Sequence, residues 1–117
     1  NKNFDESTSN YVILANVYFN VGEKKKSLYV AELLSRKSDI DDDLEGIAWG
    51  AYLKGNYYYT KTEYDSSYFY YFKAEKASVS LEYKFLLGLI LNSLLHILQV
   101  IKVFVSFQEI CPFLKLV

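Results

Sequence analysis

The chain has no methionine, one cysteine, one histidine and one proline among its 117 residues, and each scarcity excludes something. Cys111 alone cannot close a disulfide within the chain, so oxidative stapling plays no part in the fold, and a reducing, cytoplasmic location is expected. One Cys and one His are too few for a structural zinc site, and no metal or other cofactor is expected. His96 lies in an apolar run and reads as a satisfied core or cap residue, leaving no base or nucleophile for an enzyme. A single proline, Pro112, leaves everything before it free of the strongest helix breaker, and a helix is expected to stop there. The lack of Met suggests a piece of a larger protein. A net charge of -1 removes the electrostatic case for nucleic acid.

What is present points to one small helical domain. Apolar residues make up 51% and charged residues 23%, as in ordinary globular proteins. Segment 1–10 is polar and acidic, without the apolar run of a signal peptide. From Tyr11 to Val21 the residues Tyr11, Leu14, Ala15, Tyr18 and Phe19 recur at the i, i+3/i+4 spacing of an amphipathic helix, closed by Gly22. Ser27–Arg36 repeats the pattern through Leu28, Val30, Ala31 and Leu34. The polar link between the two segments is short enough to make them an antiparallel hairpin.

Segment 38–43 is an acid-rich connection whose Ser or Asp residues are placed to cap the next helix. Alternation of Asp39, Asp41 and Asp43 resembles a calcium loop, but Leu44 stands at the sharp-turn glycine and Gly50 at the closing Glu. A third helix is expected over Leu44–Lys61 despite Gly46, Gly50 and Gly55, each of which costs about 1 kcal/mol against Ala. Close approach of a neighbouring helix is the usual reason for such glycines. They also lack the Lys-Ser/Thr pair of a phosphate-binding loop. A fourth helix is expected over Asp65–Val79, with Tyr68, Tyr71, Phe72 and Ala74 on one side and Lys73, Glu75 and Lys76 on the other.

The two hairpins share one spacing. Ala15, Tyr18, Gly22, Ser27, Ala31 and Leu34 in the first match Gly55, Tyr58, Thr62, Ser67, Tyr71 and Ala74 in the second, 40 residues on. In its small residues, tyrosine, turn position and closing alanine this pattern resembles the tetratricopeptide repeat family. The resemblance covers Tyr11 to about Ser93 and is most specific in YLKGNYYYTKTEYDSSYFYYFKA. The chain departs from the motif at Ala31, Ala51, Lys54 and Thr62. The resemblance implies an all-α fold of antiparallel helix-turn-helix repeats stacked as an α-solenoid, two of them over residues 11–80.

A third repeat is expected 33 or 34 residues after the second, with Gly88 at the small position, but the pattern fails after Ser93. Residues 81–117 allow three readings. They can form a degenerate third hairpin acting as an apolar cap. They can hold a membrane helix near 85–107, since Phe85–Ile101 carries no charge and approaches the ~20 residues a bilayer needs. Or they can follow an interrupted repeat: codons can be chosen over Val105–Phe113 that read Ser-Ala-Phe-Lys-Lys-Tyr-Ala-Leu one nucleotide later. The interrupted repeat is the preferred reading.

In this family the first helices of successive hairpins line a concave face that holds a protein or peptide. Carried over by position, that face comprises Val12, Asn16, Phe19 and Asn20, then Trp49, Tyr52, Asn56 and Tyr59. The second set is spaced 3, 4, 3 and so shares one helix face. An asparagine amide can both donate to and accept from a peptide backbone. Val12 stands where a clamp for a terminal carboxylate places Lys, so that specialisation is not expected. The same aromatic stripe would also serve plain packing between hairpins. The expected function is a protein- or peptide-binding scaffold, part of a regulatory or signalling protein. The alternative is a juxtamembrane segment of a membrane-anchored one.

Overall fold

In the computed structural model the described residues form five helices: α1 (Lys2–Asn20), α2 (Lys24–Asp41), α3 (Leu44–Thr60), α4 (Tyr64–Leu81) and α5 (Lys84–Lys115). The structure describes the backbone of residues 2–82 and 84–115 and the side chains of residues 8–82 and 84–103. The side chains of Cys111 and of Val105–Phe113 lie outside the described residues. The described residues contain no strand, and the fold is all-α and repeat-like.

The period of 40 residues is built into the backbone. α2 and α4 begin 40 residues apart, at Lys24 and Tyr64, and α3 and α5 likewise at Leu44 and Lys84. α1 and α3 end in the same hydrogen-bonded reversal. Glu23 N–H donates to the Tyr18 carbonyl at 2.8 Å, and Glu63 N–H to that of Tyr58 at 3.0 Å. These are the long bonds of a Schellman turn, which needs a left-handed residue one position earlier. Gly22 supplies it with φ +90°, whereas Thr62 is forced to φ +59°. A β-branched residue is strained there, by about 1–2 kcal/mol. Thr62→Gly is therefore expected to stabilise the fold by about 1 kcal/mol, read as a higher midpoint in urea at unchanged slope.

Helices pair through buried serines. Ser27 Oγ donates to the Ala15 carbonyl at 2.8 Å and Ser67 Oγ to the Gly55 carbonyl at 2.9 Å, again 40 residues apart. Such a bond from side chain to helix backbone demands a small residue at the acceptor, which explains Ala15 and Gly55. The other two glycines of α3 face the preceding hairpin. A Cβ at Gly46 would overlap the Ser38 side chain, and one at Gly50 the Ser35 hydroxyl, so these two let α3 lie close against α2.

Two cores result. Ala15, Val30, Ala31, Leu34 and Leu53 join α1, α2 and α3. Ala48, Ala51, Tyr71, Ala74, Ala77, Leu86, Ile90, Leu94 and Ile97 join α3, α4 and α5. Trp49 packs against both.

Several expectations are corrected. Helix α1 takes in Lys2–Asn10, so the polar start is no separate segment in the backbone. Helix α2 runs on through most of the acid-rich connection to Asp41, where Lys37 Nζ holds the Asp41 carboxylate at 2.9 Å. Only Asp42, left-handed, and Asp43 remain as the link. Asp43 occupies the N-cap of α3 but bonds no helix N–H; its Oδ2 accepts instead from Thr8 Oγ1 at 2.9 Å, tying α1 to this corner. On α4, Tyr71 and Ala74 are buried, but Tyr68 and Phe72 are exposed and stacked on each other at 6.1 Å. The third unit holds no hairpin: α5 is one helix through Lys115, past Pro112, because no polar or glycine turn interrupts it. Its register is 40 residues from α3, not 34, so Gly88 matches Ala48 instead of Gly55 and has open space where a Cβ would go.

Candidate functional site

The apolar stripe Leu86, Ile90, Leu94 and Ile97 seats α5 on α4 and turns another flank of α5 toward α3. That flank carries Ser93 and His96, one helical turn apart. Across from it, α3 presents Asn56, Tyr59 and Thr60. A cleft of about 460 Å³ opens between them, with buried Tyr71 of α4 at its floor and Phe19 of α1 also in its lining.

The floor is fixed by one hydrogen bond and by burial. Tyr71 is 2% exposed, and its hydroxyl donates to Asn56 Oδ1. Burial pushes the Tyr71 phenol well above its ordinary value, outweighing the nearby Ser93 and Ser67 hydroxyls that would favour the anion. The phenol therefore keeps its proton and acts as donor, and Asn56 must offer its oxygen to it. The Asn56 amide N–H groups are left for the cleft.

The walls are aromatic. Tyr59 meets Tyr64 edge to face at 5.6 Å. Phe19 lies under the Lys24 ammonium, which sits 3.4 Å from its ring centre and donates to its carbonyl at 3.2 Å. Lys24 thus ties the first turn of α2 to the end of α1. Lys54, at a position where the repeat motif has Leu, lays its half-buried stem on α3 with the ammonium 5.3 Å from the Tyr70 ring centre. Burial, helped by the charge of Lys73, lowers its pKa.

Of the residues expected on the binding face, the structure brings Phe19, Asn56 and Tyr59 to the cleft. Asn16 and Asn20 are exposed on α1 and do not line it. Trp49 and Tyr52 are half-buried between hairpins, meeting edge to face at 5.9 Å, with Tyr52 also against Tyr71 at 5.8 Å. Trp49 packs against both cores and Tyr52 against the one shared by α3, α4 and α5. His96 is corrected from core to exposed: it lies off the buried stripe, at the cleft.

Thr60, Tyr71, Ser93 and His96 are the lining residues that sequence reasoning missed. A signal existed for His96, since Asn16, Asn56 and His96 fall at intervals of 40, but the assumed spacing of 34 hid it. The described lining combines phenol, phenyl, amide, hydroxyl and imidazole groups, without a carboxylate, ammonium or thiol. No family model, curated protein or solved structure matches this chain.

Proposed function

We propose that this protein is a scaffold of stacked helical hairpins, an α-solenoid of the tetratricopeptide kind, that holds a segment of a partner protein in the cleft between α1, α3 and α5. The observation that carries this reading is the cleft's lining: Asn56 with free amide donors, set between aromatic walls and beside the hydroxyls of Thr60 and Ser93. Main-chain carbonyls of a bound peptide can accept from the amide while its side chains lie against Phe19 and Tyr59. The recurrence of helix boundaries, caps and serine bonds every 40 residues supports the repeat architecture. A lone imidazole with no carboxylate or thiol among the described lining residues favours binding over catalysis.

The test is a displayed library of random peptides selected on the wild-type chain. Asn56→Ala with Tyr59→Ala is expected to weaken the selected peptides at least about tenfold, roughly 1.4 kcal/mol, with helix content unchanged by circular dichroism. Undiminished binding by the folded double variant removes the cleft from consideration.

Anchorage in a membrane is the competing reading, and one observation favours it. Segment Lys84–Val103 is long and apolar enough to cross a bilayer, with a mean hydropathy of 1.8 and 22% of it buried. Against it stands the packing of the same helix: Leu86, Ile90 and Ile97 are fully buried in a core shared with Ala48 and Tyr71. A spanning α5 would have to abandon that core.

A further inference from the structure

The 40-residue register sets a lysine where its counterparts are leucine. Leu14 on α1 and Leu94 on α5 stand 40 residues either side of Lys54 on α3, and Leu94 is buried in the second core. Lys54 is half-buried, with its ammonium 5.3 Å from the ring centre of Tyr70, and Tyr70 is stacked in turn on Tyr58 at 5.5 Å. Lys54 and Asn56 are two residues apart and so on opposite sides of α3, which separates this position from the cleft.

The amine has no counter-ion of its own. Lys26 pairs with Glu23 and Lys37 with Asp41, whereas no carboxylate among the described residues forms an ion pair with Lys54. The charges that face it are Lys73, one turn beyond Tyr70 on α4, and Arg36, Glu32 and Asp39 on α2. Partial removal from water and the repulsion of Lys73 outweigh the attraction of the two acids. The ammonium therefore gives up its proton more readily than an exposed lysine does. The proton-free amine is the nucleophilic form.

The same surroundings select the product. Acylation removes the half-buried cation from beside Lys73 and adds no charge beside Glu32 and Asp39. It leaves position 54 uncharged, as Leu14 and Leu94 are. We infer that Lys54 is an acyl-acceptor site, modified by acyl thioesters in preference to the exposed lysines of this chain. Its amine attacks the thioester carbonyl carbon, the new C–N bond forms and the C–S bond breaks. The leaving thiolate takes up the proton that the nitrogen sheds, so the products are a neutral amide and a free thiol.

The test is competitive labelling of the full chain with the uncharged thioester S-acetyl-N-acetylcysteamine, read lysine by lysine by peptide mass spectrometry. At about pH 7.5 Lys54 is expected to be acetylated at least about twofold faster than Lys25 and Lys84, although both of those are more exposed. Across about pH 7 to 10 its rate should begin to level off before theirs, because its amine is released first. Lys73→Gln, at an exposed position, should slow Lys54 and leave Lys25 and Lys84 unchanged, with the same circular dichroism. Glu32→Gln, also exposed, should speed it. A Lys54 no faster than Lys25 and Lys84 overturns the inference. So does a lead that Lys73→Gln leaves untouched, or a pH curve parallel to theirs, since access alone would then have set it.

Discussion

Tyr71→Ala is expected to cost about 3–5 kcal/mol of folding stability, the range for emptying a buried aromatic site. Tyr71 sits at the junction of three helices. Its ring lies over Gly55 on α3, touches Tyr52 and shares a core with Leu86 and Ile90 of α5. Its hydroxyl fixes Asn56 at the floor of the cleft. Tyr71→Phe separates these roles. It keeps the ring and removes only the hydrogen bond, for an expected loss of about 1–2 kcal/mol, and it leaves the Asn56 oxygen without its donor. Urea titration of the three proteins checks the ordering; near-equal stability of wild type and Tyr71→Ala would contradict the packing described.

The same residue sets an alkaline limit. Burial raises the Tyr71 pKa in the folded state above its unfolded value near 10. Its contribution is therefore whole below about pH 10 and is lost progressively as pH rises from there toward the folded value. The extra alkaline loss of stability should be absent from Tyr71→Phe.

Gly55→Ala and Gly88→Ala are expected to move stability in opposite directions, although both replace a helical glycine by the best helix former. Ala gains about 1 kcal/mol over Gly in a helix interior. At Gly88 nothing lies within 4 Å of the added methyl, so that gain should appear nearly in full. At Gly55 the added Cβ would lie 2.5 Å from Cδ1 of the Tyr71 ring, which is buried and cannot swing away. Overpacking of this kind costs about 1–3 kcal/mol, which cancels or outweighs that gain, so the net change is a loss of up to about 2 kcal/mol. The first hairpin shows the alternative solution to the same contact: Ala15 is tolerated because Ala31 stands in the position of Tyr71. Gly55→Ala should accordingly cost much less in a Tyr71→Ala background, with a coupling of at least about 1 kcal/mol in a double-mutant cycle. An additive cycle would mean that ring and glycine do not constrain each other.

Much of the fold was legible because helix periodicity and turn chemistry are local. The stripe from Tyr11 to Phe19, the turn at Gly22 and the matching of Ala15 with Gly55 are all properties of the linear chain, and they carried over to helix ends and serine bonds. The acid-rich connection misled because Ser38–Asp41 reads as polar linker, yet a helix needs only that Ser38 face inward. His96 misled because hydropathy averages over all faces of a helix, whereas exposure depends on which flank meets a neighbour.

The sequence by itself determined an all-helical chain and its hairpin turns, since both depend on residues within a few turns of one another; the 40-residue spacing it showed between the first two hairpins was not carried to α5. Tertiary structure alone decided the rest. It set α5 with one flank buried, one at the cleft and one bare. It set Trp49 and Tyr52 against the cores and gathered Phe19, Asn56, Tyr71, Ser93 and His96 from four helices into one cleft. Those outcomes depend on the azimuth at which each helix meets the next, and spacing along one chain does not contain that angle.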